Sequence, residues 1–330
     1  MSVSQTTPPS AAQSSDDLLG KLFSRWQYAI LIALLVWPFA VSHYATGLIT
    51  ETLIFAIAAM SLDLLMGYGG MVSFGHAAFF GLGAYGALVL NVQAGLHPWI
   101  SLIGGVAVAA FGAVVIGFFC VKMRGVAFLM VTLAFAQLLY SGAVKWRWLT
   151  GGSDGMSGLP RPSILGLDLD HPVAMYFFTL ASFLACLYCL RRLTDSQFGH
   201  ALVGIRENET RMRAMGFETR GLRFVAFVVA GAFGGVAGSL YALLQGFVSP
   251  DALSWGMSGT FLLMVVLGGA RSLVGPAIGA TVFLLMKHLV SSHTTHWLSI
   301  VGIIFVLCVM FFRGGIFGLL ERLRRGEATR

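Results

Sequence analysis

The sequence predicts an all-α, polytopic membrane protein, and three observations lead to that class. The 330 residues are 57% hydrophobic and only 11% charged, whereas a soluble domain of this length carries about a quarter of its residues charged. The mean hydropathy is +0.82. The apolar residues are gathered into ten runs, most of them near the roughly 20 residues that a helix needs to cross a bilayer. The 41 glycines fit this class, because small residues let membrane helices approach closely.

In chain order the runs are 27–46, 49–66, 72–91, 98–120, 125–143, 172–190, 223–245, 256–270, 273–291 and 296–312. The eighth is short, which suits a tilted, broken or re-entrant helix. Residues 1–26 are polar and Ser/Pro-rich and are expected to be disordered. They do not resemble a cleaved leader, whose apolar core is short; the first apolar run is long and reads as a retained helix. Residues 27–313 form the membrane domain and 314–330 a basic tail.

Charge sets the expected topology. With the N-terminus inside and the runs alternating, the inner segments hold Lys21, Arg25, Lys122, Arg124, seven arginines between residues 191 and 223, Arg271, Arg313, Arg322, Arg324, Arg325 and Arg330. That is 17 of the 21 Lys and Arg. Only Lys145, Arg147, Arg161 and Lys287 fall outside. Excess Lys and Arg mark the cytoplasmic side, so both termini are expected to be cytoplasmic. The net charge of +7 then reports topology and implies no nucleic acid.

Two connections are long. The external one, 144–171, is rich in the Gly, Ser, Asp and Pro of turns. The cytoplasmic one, 191–223, is patterned as two helical pieces over 198–206 and 209–215, with Gly216 as the stop. Its apolar face (Phe198, Ala201, Leu202, Ile205), with Gly199, is expected to dock on a partner. Arg206, Glu207, Glu209 and Arg211 would form the polar rim.

Few motifs point to covalent chemistry. Gly81, Gly83 and Gly86 form a G-x-G-x-x-G without the strand and βαβ setting of a dinucleotide site, so helix packing is the better reading. No G-x-x-x-x-G-K-[ST] occurs, and any ATP hydrolysis must come from another polypeptide. Cys186 and Cys189 sit in an apolar run as small hydrophobes. His288, His293 and His296 lack the companions and spacing of a metal centre. No cofactor is expected.

The stretch 67–76, GYGGMVSFGH, is more informative. Each glycine weakens a helix by about 1 kcal/mol relative to Ala, so an unwound segment is expected. It either lines a substrate pathway through Gly69, Gly70, Ser73, Gly75 and His76, or makes a tight turn at the inner surface. Asp63 lies within an apolar run, where ionisable groups are costly and tend to be functional. It either meets substrate or bonds to a neighbouring helix. Residues 67–84 are loosely echoed by LGGARSLVGPAIGA at 267–280, as in transporters built from internal repeats or by chance between Gly-rich segments.

Three stretches together resemble the LivM-type permease of branched-chain amino-acid ABC importers: SLDLLMGYGGMVSFGHAAFFGLGAYGA at 61–87, LTGGSDGMSGLPRP at 149–162 and FGHALVGIRENETRMRAMGF at 198–217. The resemblance runs from about residue 48 to 313. It implies the ten-helix ABC importer permease fold in a bacterial inner membrane. It also implies a heterodimer with a sister permease subunit, two cytoplasmic ATPase subunits and a periplasmic substrate-binding protein. Residues 198–217 resemble the coupling segment that such permeases insert into an ATPase, with Glu209 and Gly216 matching and Met212 standing in place of Ala. The family often has Asn at position 63 and Gln at 71, where this chain has Asp and Met. The implied function is ATP-driven import of a branched-chain amino acid by alternating access. Urea, short amides, other amino acids and aromatic acids are substrates of similar permeases. An ion-coupled secondary transporter is the alternative class, and an intramembrane enzyme a remote one.

Overall fold

The computed structural model describes residues 42–164 and 167–293 continuously, together with 34–35, 37–38, 296, 299–300, 302–303, 306, 315–316 and 318. The expected N-terminal segment 1–26 and Cys308 lie outside the described residues, as does most of the first run, the tenth run and the C-terminal tail. The chain divides into a unit ending at Gly47 and a unit from Leu48 to Arg330. All packing below belongs to the second.

The helices are α1 (His43–Asp63), continued by a π-helical turn (Leu64–Tyr68), then α2 (His76–Val92), α3 (Pro98–Cys120), α4 (Gly125–Lys145), the short α5 (Arg147–Thr150), α6 (Pro172–Thr194), α7 (Gln197–Ala214), α8 (Thr219–Gln245), α9 (Trp255–Gly268) and α10 (Val274–Ser291). The second to ninth apolar runs thus each become a helix, and α7 is the helix expected in the cytoplasmic loop. Six are long and apolar enough to cross a membrane: α1 with its π turn, α3, α4, α6, α8 and α10. The apolar helices α2 and α9 are shorter, at 17 and 14 residues. At 1.5 Å per residue, α9 is about 21 Å long, less than the roughly 30 Å of hydrocarbon. An irregular segment, residues 69–75, precedes α2, and a short strand and a 3-10 turn (Pro250–Leu253) precede α9.

Local chemistry sets these boundaries. Pro98 and Pro172 occupy the first helical positions of α3 and α6, where a missing N–H costs nothing. Ser254 caps α9, its hydroxyl accepting the Met257 N–H at 3.2 Å. Residues 69–75 leave the helix with Gly70 at φ +66° and return through Gly75, whose N–H donates to the Ser73 hydroxyl at 3.1 Å.

The centre is the mutual packing of α2, α3 and α8. Glycine makes that contact possible. A Cβ on Gly83 would strike the Gly235 backbone, one on Gly238 the Phe80 carbonyl, and one on Gly86 would press on Gly105 and Val108. The Ser239 hydroxyl donates to the Gly83 carbonyl across the same seam at 3.1 Å. The G-x-G-x-x-G glycines are therefore a packing surface. The α9–α10 hairpin closes in the same way, with Gly268 against the Gly275 carbonyl and Gly279 against the Met264 carbonyl. Phe55, Phe80, Tyr241 and Phe261 form an aromatic cluster joining α1, α2, α8 and α9, with ring centroids 5.2–6.0 Å apart.

The long 144–171 connection is folded. Its strand β1 (Met156–Ser157) pairs antiparallel with β4 (Phe247–Val248), which follows α8, while β2 (Ser163–Ile164) and β3 (Leu167–Asp168) form a small hairpin. Arg161 donates to the Leu243 and Leu244 carbonyls at 3.3 and 2.6 Å, placing a cation on the unpaired carbonyls at the end of α8. The Gln93 amide, just past α2, donates to the Trp148 and Leu149 carbonyls at 2.9 Å each.

Candidate functional site

The second end of the bundle gathers α7, the 64–75 segment, the 121–124 connection and the 269–273 turn. All are segments expected on the inner side from the charge pattern. α7 is two helical pieces. Asn208 leaves helical geometry at φ −156°, ψ 93°, and its side-chain oxygen accepts the Arg211 N–H at 2.9 Å. That is an N-cap restarting the helix, at the break between the two pieces that the pattern predicts. The second piece ends in a Schellman motif. Gly216 takes φ +87°, its N–H bonds to Arg213 O, and Phe217 N–H reaches Met212 O.

The first piece of α7 lies on the α1–α2 connection. The Arg206 guanidinium donates to the Gly67 carbonyl, and the Arg206 stem lies where a Gly70 side chain would be. Partial burial, then the like charge of Arg271, lowers the Arg206 guanidinium below its ordinary pKa, while Asp63 and Glu207 oppose that shift. Glu207 faces Arg271 at 3.8 Å.

Asp63 is fully buried, and both of its oxygens face one target. Oδ1 accepts the Arg271 N–H at 2.9 Å and Oδ2 the Leu273 N–H at 3.3 Å. Arg271 and Leu273, at φ +76° and +51°, are the non-glycine residues with positive φ among the described residues. Such a conformation costs an L-residue roughly 1–2 kcal/mol. The carboxylate thus holds a strained turn by its amides. The Tyr68 hydroxyl adds a bond to the Arg271 carbonyl at 3.2 Å. Gly67 admits this approach, since a Cβ there would overlap Asp63 Oδ1 and lie 2.8 Å from the Arg271 nitrogen.

The second piece of α7 is held by Glu209. Its Oε1 accepts from Arg124 at 2.8 Å, Arg213 at 2.6 Å and the Thr219 hydroxyl at 2.9 Å. Its Oε2 lies 3.7 Å from Arg223, which is itself buried and donates to the Met123 carbonyl at 3.0 Å and the Met71 sulfur at 3.3 Å. One carboxylate therefore joins α7 to the starts of α4 and α8.

Two sequence expectations bear on this geometry. On the apolar face of α7, Ala201, Leu202 and Ile205 are buried, Ala201 and Ile205 clustering with Met212 and Leu222 of the same chain. Gly199 is pressed against the Thr194 carbonyl at the α6–α7 corner, and Phe198 is half-buried. A face this apolar covers the nearest apolar surface, which its own neighbours supply. The exposed part of α7 is polar, from Arg206 to Asn208 and Thr210 to Arg211, and it ends in exposed Met215 and Phe217 around Gly216. For Asp63 the sequence left substrate contact and a bond to a neighbouring element open. Its two oxygens are occupied by backbone amides, the helix-bonding reading, and Gly69 and Gly70 belong to the tight turn beneath it.

Ser73, Gly75 and His76 lie further in. The His76 ring is fully buried, with Nε2 2.6 Å from the Ser61 hydroxyl and its ring edge-on to Phe79 and Phe261. Ser258 accepts the neighbouring Ala77 N–H at 2.9 Å. Gly75 packs on the Thr132 carbonyl. Sequence reasoning singled out neither Arg271 nor Arg223 as a site residue. The echo of 67–84 at 267–280 was the available signal for Arg271, because the two echoing turns touch. Among the described residues no His, Cys, Asp and Glu group into a metal site.

The comparisons agree with this architecture. Residues 44–312 match the family described as the branched-chain amino acid transport system / permease component. The high-affinity branched-chain amino acid transport system permease protein LivM of Escherichia coli K12 is 28% identical over 327 residues, covering 91% of this chain and 77% of that protein. The autoinducer 2 import system permease protein LsrC of Escherichia coli is 26% identical over 208 residues, covering 59% of this chain and 56% of LsrC. Among solved structures, PsaBC from Streptococcus pneumoniae in complex with Fab is similar at a TM-score of 0.34 and 14% identity, over 77% of this chain and 94% of that one, a likeness too slight to support an argument. With a family match over most of its length and six helices able to cross a bilayer, the chain belongs to the branched-chain amino-acid transport permease family.

Proposed function

We propose that the chain is the membrane-spanning permease subunit of an ATP-driven importer for branched-chain amino acids. It would work by alternating access in a heterodimer with a sister permease, served by two cytoplasmic ATPases and a periplasmic binding protein. The observation behind this reading is α7, a charged two-piece helix outside the apolar spans, tied by Arg206 to the 64–70 turn and by Glu209 to α4 and α8. A helix so tied can pass a partner's motion to the bundle. Its docking surface on an ATPase is the exposed tip Met215–Gly216–Phe217 with Arg211, rather than the buried face. Both termini and α7 are cytoplasmic, the 144–171 cap is periplasmic, and Ser73, Gly75 and His76 flank the route of the substrate.

The test is uptake into liposomes holding the whole complex. Uptake that needs ATP and the binding protein supports the reading. Uptake by this chain alone on an ion gradient replaces it with a secondary transporter. A second reading, the same machine for a different small solute such as urea, a short amide or another amino or aromatic acid, is favoured by the similarity to LsrC, and competition by those solutes decides it. Cysteine labelling at Ser153 from outside, with Glu207→Cys protected until the membrane is opened, checks the orientation.

A further inference from the structure

The buried carboxylate of Asp63 has a use beyond holding one turn. Three elements meet around it. The first is the turn ending α1, whose Gly67 carbonyl accepts from Arg206 of α7. The second is the turn before α10, whose Arg271 and Leu273 amides both end on Asp63. The third is α7 itself, which reaches the second turn directly through Glu207 and Arg271. The contacts close a ring: α7 to the first turn, the first turn through Asp63 to the second, and the second back to α7. Tyr68 on Arg271 is a parallel strut. Each turn leads into one of the glycine-packed helices, α2 in the three-helix centre and α10 in the hairpin with α9.

We infer that Asp63 is a positioning residue for transport: it couples the two glycine turns so that α2 and α10 move together when α7 is displaced. The inference rests on the proposed ATP-driven reading. In its terms Asp63 touches no substrate and acts through the backbone of residues 271–273. A carboxylate suits this task because two acceptor oxygens on one rigid group fix two amides of one turn, those of Arg271 and Leu273. A hydroxyl or an amide offers only one such oxygen, and an apolar side chain none. The Asp63 bonds also reach the second turn without the exposed Glu207–Arg271 pair, which solvent and salt weaken.

Two measurements test it. In purified protein in nanodiscs, amide hydrogen exchange over residues 268–276 should rise in Asp63→Ala, with exchange in the α2–α3–α8 centre unchanged. Unaltered exchange at 268–276 would overturn the clasp whatever the chain transports. In the reconstituted complex, Asp63→Ala should retain ATP hydrolysis but lose uptake per hydrolysed ATP by about tenfold, the scale of a site-to-site coupling. Arg206→Met, which keeps the carboxylate but cuts the link from α7, should give the same loss, and the double variant should be no worse than either single one. Normal uptake per ATP in folded Asp63→Ala, or effects that multiply in the double variant, overturns the coupling. Absence of ATP-dependent uptake in the wild-type complex fails the functional reading instead, and leaves the exchange result to judge the clasp.

Discussion

The two glycine turns, residues 64–75 and residues 269–273, do the same job by different chemistry. The first unwinds through a π turn and meets its demand for positive φ with glycine, at Gly70. Gly67 has no side chain where one would collide. The second also begins on a glycine, Gly269, but then places Arg271 and Leu273 in left-handed geometry. It keeps that strained shape because Asp63, at the end of α1 just before the first turn, accepts its amides. One turn is shaped by its own sequence and the other by a residue more than 200 positions away. The second turn should therefore be the more dependent of the two: breaking the first should disturb the second, and relaxing the second should leave the first intact.

The largest effect is expected from Gly67→Leu. The new side chain would occupy the space of Asp63 Oδ1 and the Arg271 nitrogen. Overpacking of this kind costs about 3 kcal/mol, visible as a lower unfolding temperature in detergent and faster exchange in both turns. Exchange confined to residues 64–75 would show that the turns are independent.

Asp63→Asn is a gentler cut. One oxygen remains to accept an amide, while the new NH2 group faces the other N–H. Leaving one buried donor without a partner costs roughly 1–3 kcal/mol. Residues 271–273 should exchange faster than in the wild type and slower than in Asp63→Ala. An Asn variant as protected as the wild type would mean that one acceptor is enough.

Glu209→Gln separates the turns from the rest of α7. It leaves the buried Arg223 without its counter-charge, at about 1–2 kcal/mol. The thermal loss should be shared with Arg223→Met in a double-mutant cycle, because the two residues touch. Exchange in the 269–273 turn should not change, since that turn is held by Asp63.

The smallest effect, and of opposite sign, is expected from Arg271→Gly. Glycine removes a left-handed strain of roughly 1–2 kcal/mol but adds backbone entropy of about 0.5–1 kcal/mol to the unfolded chain. The lost ion pair with Glu207 is exposed and weak. Net stabilisation should lie near 0.5 kcal/mol, read as a slightly higher melting temperature. Destabilisation would show that the Arg271 side chain matters more than its backbone.

Much of the fold was legible because the bilayer imposes length and polarity. The second to ninth apolar runs each gave a helix, with ends that differ by as many as six residues (49 against His43), and the glycine cluster gave the break before α2. The two-piece pattern of α7 was also readable, because Asn208 and Gly216 are local capping signals. The site was less legible. Periodicity shows that Ala201, Leu202 and Ile205 are buried, yet says nothing of what buries them. It was their own chain. Asp63 stood out as an intramembrane carboxylate, but its partners are backbone amides, which every residue carries and no motif records.

The sequence by itself determined the class of protein, the order of its described apolar helices and the break at residues 69–75. These follow from local composition, since hydrocarbon excludes unpaired polar groups wherever they occur in the chain. Only the tertiary structure decided that the two glycine turns meet, that Asp63 at the end of α1 holds the second, and that Glu209 gathers Arg124 ahead of α4, Arg213 of α7 and Arg223 of α8. Those contacts join residues far apart in sequence. They depend on how closely helix backbones approach, which is set by glycines such as Gly67 and Gly83 acting through what they lack.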